Sequence, residues 1–251
     1  MMQQVVKSER VIVEGNMLAD AHCHLELFQD PETVVKDAVF GGVGVIITAG
    51  GSKAASVEAI KIADGKNIFA VIGIDPENAA KDSDFIDDIA AFIRSEAKIV
   101  GIGEIGIDNK VMTNKQSQIE AFEKQINIAI ELDIPVVIHS RGALNETIDI
   151  IRKSGIKKAM FHFFEGNSED AVEVARLGFL ISIPPVESSR RKRVIQAVGI
   201  ESLVVETDSP VVGKSPLDVI KTAQWIAGIK GIGYDEVSAQ MTKNVKNLFL
   251  I

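Results

Sequence analysis

Apolar, β-branched runs recur along this 251-residue chain, and segments of helical spacing separate them. The strand candidates are 17–22, 43–49, 68–74, 99–105, 134–139, 159–164, 179–183 and 202–207, eight in all. Ile134-Pro135-Val136-Val137-Ile138 and Leu203-Val204-Val205 are continuous apolar runs, as expected of strands covered on both faces in a parallel sheet. Between the runs, Ile119, Phe122, Ile126 and Ala129 share one face of a helix, as do Phe85, Ile89 and Phe92 within 84–97. Asp149, Ile150 and Ile151 lie in a further helix that Gly155 is placed to end. Strands alternating with helices imply a parallel sheet joined by crossovers. Eight such units in about 250 residues predict a (β/α)8 TIM barrel, an α/β fold, as a single domain over 1–251. The alternative is an open doubly wound sheet, but no G-x-G-x-x-G follows the first strand, and Gly41-Gly42-Val43-Gly44 precedes a strand and reads as a turn. A short strand at 10–14 is expected to help close the barrel bottom, and a C-terminal helix at about 234–249 to pack outside.

The richest chemistry is Asp20-Ala21-His22-Cys23-His24, at the end of the first strand. Strict alternation puts Asp20, His22 and His24 on one face and Ala21, Cys23 and Leu25 on the other. Imidazoles two residues apart stand about 6–7 Å apart along the strand and can grip one small cation. Other ligand-capable residues also fall at strand ends: Glu104 in Gly103-Glu104-Ile105-Gly106, His139 before Ser140-Arg141, His162 between phenylalanines, and Asp208 before Ser209-Pro210. All four histidines of the chain are in this group. In such barrels, reactive groups gather at the C-terminal ends of the strands. His22, His24, Glu104, His139, His162 and Asp208 are enough ligands for two divalent cations, with Glu104 able to bridge through its two oxygens. The nitrogen and oxygen donors permit Zn, Mn, Co or Mg without choosing among them.

Composition adjusts this picture at the margins. The net charge of −8 argues against a dedicated nucleic-acid scaffold, though not against an enzyme whose bound metals supply local positive charge. Arg190-Arg191-Lys192-Arg193 is the one basic cluster, either a solvated helix start or a phosphate-contacting patch near a substrate mouth. No apolar run is long enough for a membrane span, and Met1 to Arg10 lacks a signal-peptide core. The single cysteine, Cys23, is read as packing, and its solitude fits a reducing cytoplasm.

The motifs together resemble the TatD family of metal-dependent hydrolases, within the amidohydrolase-like barrels. Asp20-Ala21-His22-Cys23-His24-Leu25 resembles that family's D-x-H-x-H-L start, and Gly103 to Asp108 its G-E-I-G-L-D element. Gln116 to Arg141, Phe161 to Gly166, Glu206-Thr207-Asp208-Ser209-Pro210 and the C-terminal Asn244, Leu248 and Phe249 extend the likeness nearly end to end. The resemblance implies that His22, His24 and Asp208 hold one metal and His139 and His162 a second, with Glu104 bridging. It also implies that Asp208 orients or deprotonates the nucleophilic water. Arg141 is then a phosphate clamp and Glu206 a support beside Asp208. Two departures stand out. Asp75-Pro76 occupies the place of the family's His-Pro, where substrate contact is expected, and Val211 to Pro216 lacks an arginine-bearing element.

The expected activity is hydrolysis of DNA phosphodiesters by a metal-activated hydroxide, in the 3′ to 5′ exonuclease manner described for the family. The alternatives are hydrolysis of a small amide, lactone or phosphate ester, and a protein that binds metal without turnover. No membrane association and no obligate protein partner are expected.

Overall fold

A computed structural model describes residues 17–251. The expected strand at 10–14 lies outside the described residues. Eight parallel strands form one sheet in sequence order: β1 (Leu18–Cys23), β2 (Val43–Gly50), β3 (Ile68–Ile72), β4 (Ile99–Gly106), β5 (Val136–His139), β6 (Ala159–Phe161), β7 (Leu180–Ile183) and β8 (Leu203–Val205). The helices between and after them are α1 (Pro31–Phe40), α2 (Lys53–Ile62), α3 (Ile86–Ser95), α4 (Lys115–Leu132), α5 (Leu144–Ser154), α6 (Ser168–Arg176), α7 (Ser189–Ala197), α8 (Val219–Lys230) and α9 (Tyr234–Phe249). The eight expected strands are present, and α9 spans the expected 234–249. Gly155 ends α5 in the left-handed conformation, φ 77°.

Two cores hold the layers together. An outer one, with Ile46, Phe122, Ile138, Ile181 and Ile226, lies between sheet and helices. An inner one, with Ala19, Ala21, Ile47, Val71, Val137 and Met160, fills the barrel, and Val245, Leu248 and Phe249 of α9 pack against it. The sheet curls so that the chain after β8 meets β1. Asp208 N–H donates to the His22 carbonyl at 2.9 Å, and His24 N–H to the Ser209 carbonyl at 2.8 Å. Asp20 adds a side-chain clasp at the same seam: its carboxylate accepts from Thr207 N–H at 2.9 Å and from the Thr207 hydroxyl at 2.5 Å.

This corrects the strict alternation expected of β1. Asp20 pairs with Ile46 and Cys23 with Thr48, so β1 carries one extra residue between those points. Ala21 belongs to the inner core and Cys23 to the outer, where alternation would put them on one face. Asp20 is spent on the seam, while His22 and His24 turn to the barrel mouth. A second bulge lies in β4, where Ile102 pairs with Val136 and Ile105 with Ile138, so Gly103 and Glu104 oppose a single residue. Bulges at a barrel rim bend the strand and re-aim a side chain. Of the register shifts in the sheet, these two fall at the site residues His22 and Glu104. Strands β6 and β8 are shorter than expected: beyond their ends Phe163 N–H and Thr207 N–H turn to the Glu206 and Asp20 carboxyls, although His162, Phe164 and Glu206 N–H still donate to the Ile138, Ser182 and Ile183 carbonyls of neighbouring strands.

Candidate active site

Glu104 stands at the centre of the barrel mouth. Its two oxygens face different partners. Oε2 lies 3.7 Å from His22 Nε2 and 3.9 Å from His24 Nε2. Oε1 lies 2.5 Å from His139 Nδ1 and 3.4 Å from His162 Nε2. Asp208 completes the first group, with Oδ1 3.3 Å from His24 Nε2 and 3.9 Å from His22 Nε2. All six residues expected from sequence are therefore brought together.

The backbone is shaped around these groups. Asp208 has φ 49°, an uncommon conformation for a non-glycine residue, held where the chain crosses from β8 to β1. Gly106 has φ 145°, and a Cβ there would lie 1.9 Å from the His139 carbonyl oxygen. Only glycine lets β4 pass that close to β5, which seats His139 against Glu104.

Three of the four rings are gripped from behind. His24 Nδ1 lies 3.1 Å from the Ala49 carbonyl and 3.3 Å from Glu26. His139 Nε2 lies 2.9 Å from Asp108, and His162 Nδ1 lies 3.1 Å from Glu206. A hydrogen bond on one nitrogen sets the tautomer and leaves the other free to act as a ligand. His22 differs: both its nitrogens are buried with no hydrogen-bond partner among the described residues. A buried polar atom without a partner costs about 1–3 kcal/mol. A cation among these donors would relieve that cost. Two donor sets, His22, His24 and Asp208, and His22, Glu104 and His162, each keep their ligand atoms within 4.8 Å of one another. Ligands about 2 Å from one zinc stand roughly 3.3 Å apart in a tetrahedron, so the observed gaps suit a shared ion.

The electrostatics agree. Burial pushes the His22 ring well below the usual histidine range, and His162 adds to that push. Burial also opposes charge on His139, but Glu104 and Asp108 outweigh it and raise the ring to about 10. His162 rises to about 9 against the same opposition, through Glu206 and Glu104. Burial would raise Glu104, yet His162 and His139 hold it well below the ordinary carboxylate range. Such a cluster is built to carry strong negative and positive charge at close quarters.

A cavity of about 400 Å³ opens over the cluster, with Asp75, Glu77 and Glu26 on its wall and Arg141 at its edge. Arg141 pairs with Asp108 Oδ2 at 2.8 Å and keeps about half its side chain exposed. Asp75 Oδ1 accepts from Asn78 N–H at 2.8 Å and from the Asn78 amide at 3.0 Å. Burial, then the Glu104 charge, push Asp75 up to about 6. In the basic cluster, Arg190, Lys192 and Arg193 are exposed, but Arg191 is turned inward and only 8% exposed. That inward turn departs from both readings of the cluster as a surface feature.

Asp108 and Glu26 are the site residues that sequence reasoning gave no role. Asp108 ends the Gly103–Asp108 element already singled out, so its motif membership was the available signal. Glu26 carries no sequence signal beyond its closeness to His24.

Comparison with known proteins agrees with this geometry. The family model described as TatD related DNase matches residues 19–250. The human deoxyribonuclease TATDN3 is 28% identical over 261 residues, covering 94% of this chain and 95% of its own length. An uncharacterized metal-dependent hydrolase of Methanocaldococcus jannaschii is 32% identical over 242 residues, covering 92% of this chain and 96% of its own. The crystal structure of a TatD homolog from Escherichia coli superposes with a TM-score of 0.88 at 24% identity, covering 93% of this chain and 98% of that one. With a match over nearly the whole chain, a barrel in common and a histidine–carboxylate cluster at its mouth, this protein is a metal-dependent hydrolase and belongs to the TatD related DNase family.

Proposed function

We propose that the protein hydrolyses phosphodiester bonds in DNA, removing nucleotides from the 3′ end, with two divalent cations in the barrel mouth. In this reading His22, His24 and Asp208 would hold one cation and His139 and His162 the other, with Glu104 serving both groups. The observation that carries it is the division of Glu104, one oxygen toward each donor group. The His22 nitrogens, without a hydrogen-bond partner among the described residues, support it. Bound cations supply the positive charge that activates water near neutral pH and offsets charge developing on phosphate.

The chain's own groups do the rest. Asp208 accepts the proton of the attacking water. Asp108, Glu206 and the Ala49 carbonyl keep the rings in the tautomers that face the cavity. Arg141, half exposed beside Asp108, takes a phosphate oxygen pair through its planar guanidinium. Asp75 accepts a hydrogen bond from a substrate hydroxyl or amine and turns away additional phosphate. The whole chain acts as one catalytic domain. A lone buried cysteine suits a reducing compartment, and a cytoplasmic location belongs to this reading.

The test is degradation of short single-stranded DNA labelled at the 3′ or 5′ end, with Mg, Mn, Co or Zn, against EDTA and a His22→Ala variant. Stepwise metal-dependent shortening, lost in the variant, is expected, and the label pattern gives the polarity. The acidic wall of Asp75, Glu77 and Glu26 favours a second reading, hydrolysis of a small amide or lactone. DNA left intact by protein shown to contain metal would select that reading.

A further inference from the structure

Phe163 is used by neither the donor cluster nor the barrel core. It follows His162 with φ 44°, a left-handed conformation in which a bulky side chain is an outlier. The strain is held by Glu206, whose Oε1 accepts the Phe163 N–H at 2.7 Å. The ring is half-buried, and Arg191 lies over it with the guanidinium carbon 4.9 Å from the ring centroid. Arg191 is itself fixed, donating from Nη1 to the Val186 carbonyl at 2.9 Å. This explains why one arginine of the basic cluster points inward. The ring also lines a cavity of about 160 Å³, together with Val211 and Val212 and with His139, Arg141, His162 and Asp208 of the donor site. Those last four residues also line the larger cavity, so a ligand can lie across both. Val211 and Val212 are 65% and 37% exposed, an apolar edge beside an otherwise charged mouth.

We propose that Phe163 is the stacking floor of a nucleobase subsite, edged by Val211 and Val212, for the base attached to the reacting phosphate. The inference rests on the reading of the protein as a nuclease. An aromatic ring braced by a buried cation presents a rigid π-face, and every base offers a π-face in return. The ring is locked next to His162, so a stacked base is carried on a backbone that also sets a donor of the cluster. Arg141 lies across the same cavity to take the phosphate. Such a floor tolerates any base and rejects a bare sugar phosphate. Base–aromatic stacking changes affinity by about 5- to 150-fold on removal of the ring.

The test is binding of deoxyadenosine 5′-monophosphate and of 2-deoxyribose 5-phosphate to the metal-loaded protein by calorimetry. The wild type should prefer the nucleotide by about 5- to 150-fold. Phe163→Ala should abolish that preference with sugar phosphate affinity unchanged, and Phe163→Trp should retain it. If the alanine variant fails to fold, Phe163→Leu keeps apolar bulk without a π-face and should lose the preference too. A wild type without preference, or a preference that survives in the alanine or leucine variant, overturns the subsite. Cleavage of labelled DNA by the wild type is run alongside. Cleavage without a Phe163-dependent preference rejects the subsite alone, whereas a Phe163-dependent preference without cleavage upholds the subsite and rejects the nuclease reading.

Discussion

Replacing Asp75 with asparagine should stabilise the metal-free protein at pH 8 and leave it unchanged at pH 4. In the folded protein the Asp75 carboxyl is raised from an ordinary 3.8 to about 6, by burial first and by the Glu104 charge second. A raised carboxyl favours the folded state only while it is protonated. Its contribution is fully present below pH 3.8 and is lost as the pH climbs through 6. At 1.36 kcal/mol per pH unit, the ionised group at pH 8 costs up to about 3 kcal/mol. Asparagine removes the charge, and its carbonyl oxygen can still accept from Asn78 N–H and from the Asn78 amide. For a chain of this size, 3 kcal/mol corresponds to about 6–12 °C in melting temperature. The assay is thermal unfolding of wild type and Asp75→Asn at pH 4, 6 and 8 in EDTA, followed by circular dichroism and by the fluorescence of the single tryptophan, Trp225. The gain should shrink when divalent metal is added, because a cation at Glu104 removes the repulsion. An unchanged difference across the three pH values, or a variant less stable at pH 8, would show that Asp75 is not held as an electrostatic liability.

Metal uptake should strengthen with pH, because His139 and His162, at about 10 and 9, carry protons at neutral pH that a cation must displace. Competition with a chelating dye at pH 6.5, 7.5 and 8.5 should give between about tenfold and a hundredfold per pH unit, and a flat profile would contradict the protonation states. Glu104→Ala should lower turnover by about 100-fold or more and reduce the metal bound per chain, read by mass spectrometry. Unchanged turnover with two cations still bound would sink the bridging role. Asp20→Ala should lower the melting temperature by about 5–15 °C, since it leaves the Thr207 N–H buried without its acceptor and leaves the Thr207 hydroxyl only the Ser209 hydroxyl to bond. A melt within about 2 °C of wild type would mean that the seam does not depend on this clasp.

The barrel was legible in the sequence because its cause is local. Apolar β-branched runs separated by helical spacing dictate strands and helices, and parallel strands need crossovers. The six metal-site candidates were legible for a similar reason: few residue types bind cations, and each stood at the end of a run. What the sequence could not decide was where the side chains point once alternation breaks. Period-2 reasoning sent Asp20, His22 and His24 to one face. A bulge between Asp20 and Cys23 instead commits Asp20 to Thr207 across the seam and frees both histidines for the mouth. The bulge at Gly103-Glu104 likewise sets where Glu104 sits between two donor groups. A bulge is defined against the neighbouring strand, and barrel closure joins residues nearly 190 positions apart, as Asp20 and Thr207 are (|i−j| = 187). Asp108 behind His139, and Arg191 over Phe163, likewise meet their partners only when neighbouring β/α units pack together. The sequence determined which chemistry the chain carries, because residue type and local period are written into it. Tertiary structure decided how that chemistry is aimed, because register, closure and contacts across the barrel are set by distant residues meeting in space.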